Sequence, residues 1–271
     1  MQDRNFRQAV IRLGTHGENY GSWMSNPVFY VAGGLLALSV VLAVLSFTVF
    51  HITALGVMFV IAAVILLALL LWCAWIRRQY AFGGGGMMDQ THLVVLSRLN
   101  FDGQGQFLEV GCGSGPLSIR AALTWPSAQV TGIDYWGADF GYSQAICEKN
   151  AASEGVSARC RFQHGDANKL DFPDESFDAV VSNYVYHNIM GSDKQALLLE
   201  TLRVLKKGGV FAINDNMKPR AYGDMDSFVR KLRGMGYADV RLIDMTREIF
   251  GSRRRAAMMM LGESRMLVGR K

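Results

Sequence analysis

The residues best placed to do chemistry lie in one short stretch, Phe107-Leu-Glu-Val-Gly-Cys-Gly-Ser-Gly115, followed by Pro116. Gly111, Gly113 and Gly115 lack side chains, so the backbone there can turn sharply and come close to a ligand, with Cys112 inside the turn. A dinucleotide fingerprint needs glycine at 116, where this chain has proline. Glu109 stands two residues before the first glycine. An acid so close to the loop repels a pyrophosphate and attracts a sulfonium or an ammonium. The spacing therefore points to a cationic cofactor.

Further acids follow at intervals. Asp134 closes Val130-Thr-Gly-Ile-Asp134-Tyr-Trp136, where a carboxylate at a strand end can accept from a ribose diol. Tyr135 and Trp136 are expected to flank the adenine or the substrate. Asp166, in His164-Gly165-Asp166-Ala167, can accept from an adenine amino group. Beyond the fourth apolar strand come Asn183, Tyr184, Tyr186, His187 and Asn188. Asn183 is expected to face the cofactor. His187 is a candidate base or an orienting group, or a structural histidine. Tyr184 and Tyr186 either line an acceptor pocket or pack. Asp215 and Asn216 are expected to reach the acceptor.

These residues must be carried by alternating elements. Short apolar strands are expected at Phe107–Val110, Gln129–Ile133, Arg159–Gln163, Phe177–Ser182, Val210–Asn214, Val240–Asp244 and Met266–Gly269. Helices are expected at Pro116–Leu123, Tyr142–Ser153, Lys194–Leu205 (closed by Gly208) and Met225–Arg233, with an earlier one capped by Asp89 and running to Leu99. The alternation predicts an α/β fold, a doubly wound, mostly parallel seven-stranded sheet, with ligands at the carboxyl ends of its strands.

Residues 105 to 217 resemble the class I S-adenosylmethionine-dependent methyltransferases, the small-molecule branch in particular. Glu109 with the three glycines resembles that family's first motif, Asp134 its ribose-binding acid, and Gly165-Asp166-Ala167 its adenine-side motif. Phe177-Asp-Ala-Val-Val-Ser-Asn183 resembles its fourth-strand motif, and Leu202-Arg-Val-Leu-Lys-Lys-Gly-Gly209 the stretch before strand five. The resemblance implies S-adenosyl-L-methionine as cofactor. Asn183-Tyr-Val-Tyr186 keeps the first and last letters of the Asn-Pro-Pro-Tyr motif of nucleic-acid amino methyltransferases but neither proline. No nucleic acid is expected as partner.

The first third of the chain has a different character. Of the 271 residues, none from Pro27 to Ile76 is Asp, Glu, Lys or Arg. Fifty charge-free residues suit two membrane spans, about 28–50 and 53–76, joined at His51. A buried soluble hairpin and a signal peptide are poorer readings. Arg4, Arg7 and Arg12 precede the run and Arg77 and Arg78 follow it, so the N-terminus and the catalytic part are expected to be cytoplasmic. Tyr20, Trp23, Tyr30, Trp72, Trp75 and Tyr80 suit aromatic interface belts. The expected organisation is thus a segment 1–26, an anchor 27–76, a glycine-rich joint 77–86 and a methyltransferase domain 87–271. The joint is a hinge, or a lid whose Met87 and Met88 close over the cofactor.

Net charge is +5, and Lys206–Lys271 alone carries +8. That basic third is either a solvated face or one suited to anionic lipid or nucleic acid. Within it, Gly251-Ser-Arg253-Arg-Arg255-Ala-Ala-Met258-Met-Met-Leu261 reads as a connector with buried methionines or as a segment lying on a membrane. Four cysteines without CxxC or zinc spacing imply free thiols and no metal. Taken together, the expected protein is a membrane-held methyltransferase acting on a small or lipophilic acceptor by in-line displacement. A dinucleotide-dependent oxidoreductase and a non-catalytic cofactor-binding scaffold are the alternatives.

Overall fold

The computed structural model describes residues 13, 20–21, 26–82, 86–137 and 141–271. Arg4, Arg7, Arg12, Trp23 and the joint residues 83–85 lie outside them.

The charge-free run forms two antiparallel helices, α1 (Asn26–Thr48) and α2 (Thr53–Tyr80). The turn between them is tight: Val49 N and Phe50 N both donate to Leu45 O, and His51 takes φ +52°. The hydroxyls of Ser39, Ser46 and Thr48 fold back onto carbonyls four residues earlier, so they expose no unpaired donor. Gly56 lets the helices approach, since a Cβ there would stand 2.5 Å from the Phe47 ring. At the open end Arg77 Nη1 donates to Asn26 Oδ1 at 2.8 Å and lies over the Phe29 ring. The hairpin is not buried in the protein. Val31, Val64, Ile65 and Leu71 are each more than 60% exposed. Both helices are long and apolar enough to cross a membrane. At 1.5 Å per residue α2 is about 42 Å long, against about 30 Å for a hydrocarbon core, so its last turns would emerge.

Helix α3 (Met87–Ser97) comes next. Its N-cap is Gly86 in the left-handed region, and Asp89, expected as the cap, instead sits in the first turn. There it accepts from Arg120 Nη2 at 2.6 Å, Arg120 being almost wholly buried in the following helix. A buried guanidinium needs a partner more than the helix needs a side-chain cap.

The remaining elements are β1 (Gly105–Val110), α4 (Pro116–Thr124), β2 (Ala128–Asp134), α5 (Gln144–Ser153), β3 (Cys160–His164), β4 (Phe177–Asn183), a single 3₁₀ turn at Tyr186–Asn188, α6 (Lys194–Arg203), β5 (Leu205–Asn216), α7 (Pro219–Tyr222), α8 (Met225–Gly234), β6 (Ala238–Asp244), α9 (Thr246–Phe250), α10 (Arg253–Met258) and β7 (Ser264–Arg270). The seven strands form one sheet in the order β3-β2-β1-β4-β5-β7-β6. All neighbours are parallel except β7, which runs antiparallel to β5 and β6. Alternate side chains of each strand enter different cores. Phe107, Ala179 and Ala212 meet Leu117, Ile119, Cys147 and Val95 on one face, and Leu108, Val180 and Phe211 meet Leu198, Leu202 and Phe228 on the other. The expected doubly wound, mostly parallel sheet is what forms.

Most element boundaries differ from the sequence expectation by one or two residues. Helix α5 starts at Gln144, because Ser143 caps it by accepting from Ile146 N, which leaves Tyr142 outside the helix. Helix α6 stops at Arg203, and β5 begins at Leu205, well before Gly208. Phe177 pairs with Leu205, and the register then jumps so that Ala179 meets Val210. Gly208, at φ +80°, and Gly209, whose Cβ would meet Leu205 at 2.7 Å, absorb the extra residues. Finally, the connector before β7, expected either to bury its methionines or to lie on a membrane, forms α10, and only one of its three methionines, Met259, is buried.

Asp89→Ala would leave Arg120 without its closest carboxylate. The melting temperature in detergent is expected to drop by roughly 5–10 °C, corresponding to about 3 kcal/mol. An unchanged value would show that the pair does not matter to stability.

Candidate functional site

The winding of the sheet reverses between β1 and β4, so the loops that leave those strands flank a crevice at the carboxyl edge. The loop after β1 is held from below: Gly111 N and Cys112 N both donate to Ile133 O, at 2.8 and 2.9 Å. All three glycines are left-handed, at φ +79°, +58° and +87°. Gly111 is also confined by space. A Cβ there would lie 2.1 Å from Val185, which follows β4, so the two flanking loops touch at this glycine.

Asp134 ends β2 and closes the loop from the side. Its Oδ2 accepts from Gly113 N and its Oδ1 from Trp136 N, both at 2.8 Å. Trp136 in turn donates its indole N–H to Gly113 O at 2.8 Å and takes φ +45°. Its ring is thus tied to the loop. Tyr135 is exposed and packs on His164. Tyr142 faces Asp134, and burial together with that charge pushes its phenol up to about 12, so the hydroxyl keeps its proton. Asp166 is exposed at the end of β3, where Oδ1 accepts from Asn168 N and Nδ2; Gly165 precedes it, and Ala167 is buried.

Glu109 does not lie open in the crevice as its sequence position suggests. Its carboxyl is buried under the loop, where Oε2 accepts from Ser118 Oγ at 2.5 Å. Burial pushes it up to about 8, against the pull of the Ser118 hydrogen bonds. A neutral acid offers a cation little by charge, so its attraction depends on the proton leaving. Cys112 is also buried, and burial raises its thiol well above the usual range, which makes it a packing residue rather than a nucleophile.

The groups after β4 divide. His187 Nδ1 lies 2.5 Å from Asp215 Oδ1, and His187 N donates to Asp215 Oδ2 at 3.2 Å. Asp215 is fully buried and also accepts from Asn216 N. With a carboxylate at Nδ1, the neutral imidazole keeps its proton there and presents Nε2 as an acceptor. Asp215, expected to reach the acceptor, is placed behind His187 instead. Asn183 pairs through Oδ1 with Asn214 Nδ2 at 2.8 Å. Tyr184, at φ +57°, shares a hydrogen bond with Ser264 Oγ at 2.7 Å, and its ring meets that of His187 edge-on. Tyr186 is wholly buried with its hydroxyl on Thr201, so it belongs to the core and does not line a pocket. Its sequence position hid this: the 3₁₀ turn rotates residue 186 inward and 187 outward.

Part of the site was not legible beforehand. Tyr20, expected in an interface belt, is buried against Phe82, and its carbonyl accepts from Ser114 Oγ in the glycine loop at 2.8 Å. Asn150 Nδ2 donates to Ser114 O. Met87 is packed in the core cluster rather than free to close as a lid. Tyr80, the other misplaced belt residue, is buried with its hydroxyl on Met259 O.

The segment that carries the glycine loop and Asp134 is similar to known proteins. Residues 108–213 match the profile of a family described as a methyltransferase domain. The ubiquinone/menaquinone biosynthesis C-methyltransferase of Desulfotalea psychrophila is 34% identical over 49% of this chain, and a sterol 24-C-methyltransferase of Gibberella zeae is 32% identical over 53% of it. The chain spans 50% of the first relative's length and 35% of the second's. Among solved structures, the cyclase SpnF superposes with a TM-score of 0.54 at 22% identity, covering 70% of this chain and 82% of that one. A geranyl diphosphate methyltransferase superposes at 0.51 with 16% identity, covering 66% and 76%. The fold is that of the class I methyltransferases. A cyclase shares it, so fold alone does not name a reaction.

Neutral Glu109 contributes stability that is complete below the ordinary carboxyl range and is lost as pH rises through about 8. Glu109→Gln is therefore expected to flatten the fall in melting temperature between about pH 5 and pH 8. Parallel curves for the two proteins would mean that the carboxyl ionises freely.

Proposed function

We propose that the chain is an S-adenosylmethionine-dependent methyltransferase, anchored in a membrane by α1 and α2, that methylates a small lipophilic acceptor. The observation that carries this reading is the bond from left-handed Gly113 to Asp134 at the switch point, inside the segment that matches a methyltransferase domain. The cradle suits the cofactor. Gly111 and Gly113 leave backbone where other residues would project a Cβ, and among the described residues backbone N–H groups take two of the roughly four lone-pair positions of Asp134, which suits a ribose diol at the others. When bound, S-adenosylmethionine supplies a methyl group already activated for displacement.

The residues of the chain then have to hold, align and exclude water. Asp134 would hold the ribose, Asp166 would stand on the adenine side, and Asn183 would face the methionine end. His187, oriented by Asp215, would take a proton at Nε2 from an acceptor that carries one. The exposed apolar hairpin supports a membrane anchor over residues 27–76 and a catalytic unit over 87–271. Arginines at its ends favour a cytoplasmic face for that unit. Relatives described as quinone and sterol C-methyltransferases support a lipophilic acceptor.

Asp134→Ala is expected to weaken binding of S-adenosylhomocysteine about 100-fold, roughly 3 kcal/mol, by calorimetry in detergent. Wild-type affinity in the folded variant would remove this site. His187→Gln is expected to lower turnover by about 10² to 10⁴ while leaving that affinity intact. Unchanged turnover would rule out the base.

A further inference from the structure

The strand register decides which edge of the catalytic unit lies beside the hairpin. Strand β7 runs antiparallel to β5, with Ser264 opposite Asn216. The segment that leads into β7, residues 251–263, therefore crosses the carboxyl edge of the sheet, the edge that carries the glycine loop and His187. It is tied on both sides. Toward the site, Asn216 Nδ2 donates to Met260 O at 3.0 Å, and Asn216 follows Asp215, the partner of His187. Ser264 holds Tyr184. Toward the hairpin, Tyr80 Oη in the last turn of α2 donates to Met259 O at 2.8 Å, and Arg255 Nη2 donates to Gln79 Oε1 at 3.3 Å.

The outer face of this segment is basic and apolar at once. Arg253, Arg254 and Arg255 are exposed, and Arg254 has no ion-pair partner among the described residues. Met258 is 50% and Met260 54% exposed. Arg78, exposed on α2, extends the charge. Arginines beside large apolar side chains, next to the point where a 28-residue apolar helix ends, suit a bilayer surface with anionic headgroups.

We infer that α10 and the turn after it rest on the membrane, so that the carboxyl edge of the sheet faces the bilayer and the acceptor reaches His187 without leaving the interface. This rests on the anchored-methyltransferase reading and narrows its substrate class to amphiphiles whose reacting group sits at headgroup depth. A water-borne acceptor would have no use for this orientation. Met235, 55% exposed at the end of α8 and just ahead of the start of β6, lies at the opposite edge and is expected to face water.

The test uses the full chain in vesicles, with Cys73 and Cys160 changed to serine and one new cysteine carrying a fluorophore. Labels go at Met258→Cys, at Met235→Cys and, as a control for the anchor, at Ile65→Cys. Lipids spin-labelled near the headgroup or deep in the chain act as quenchers. Expected results are deep quenching at 65, headgroup-level quenching at 258 and none at 235. In phosphatidylglycerol vesicles, Arg254→Gln is expected to lower the ratio of quenched to unquenched label at 258 about 5-fold, the equivalent of ~1 kcal/mol per interfacial arginine. In phosphatidylcholine it should change nothing. Quenching at 65 without quenching at 258, or equal quenching at 258 and 235, would overturn the orientation and leave the anchor standing. No quenching at 65 would overturn the membrane reading itself.

Discussion

Much of the site depends on one hydrogen bond, from Gly113 N to the carboxylate of Asp134 at the end of β2. For the bond to form, the loop must climb from β1 and turn back within three residues, and it does so through left-handed backbone that a side chain would strain. The same constraint reaches outward. Gly111 is small because Val185 occupies the space beside it, and that contact draws the end of β4 against the end of β1. His187 follows two residues later. Gly132, in the middle of β2, is bare for a related reason: a Cβ there would meet Ser118 Oγ at 2.8 Å and Cys112 at 3.0 Å. The glycines thus set where backbone approaches backbone, and the polar side chains take positions that this spacing leaves.

Three acids at the crevice have separate tasks because their surroundings differ. Asp134 lies at a strand end with backbone donors on both oxygens. Asp215 is buried and spends its oxygens on His187 and Asn216. Glu109 is buried with one hydroxyl, and burial raises its pKa to about 8. Glu109 therefore holds a proton near neutral pH, and that proton can leave when positive charge arrives above it, since an opposite charge favours the ionised carboxylate. A cationic ligand and a proton would then compete across this loop.

Much of the fold could be read in advance. Short apolar strands, glycine punctuation and a fifty-residue run without charge each have a local physical cause. The sheet, its elements and the two long helices follow from these. What could not be read depends on distant partners. Asp89 looked like a cap until buried Arg120 was found beside it, and Tyr20 and Tyr80 looked like interface aromatics until their contacts with Phe82, Ser114 and Met259 appeared. The β4–β5 register jump hid the start of β5, and the 3₁₀ turn separated Tyr186 from His187. The pairing of His187 with Asp215 joins residues 28 apart that no local pattern connects.

In the proposed function, this crevice transfers a methyl group to a molecule held in the membrane. That transfer is tested most directly by giving the reconstituted full chain methyl-labelled S-adenosylmethionine and a lipid extract, then following the label and the formation of S-adenosylhomocysteine. Label is expected in the organic phase, matched one for one by S-adenosylhomocysteine, with both lost in Asp134→Ala. Cofactor binding without either product, or label found only in water-soluble material, would contradict it.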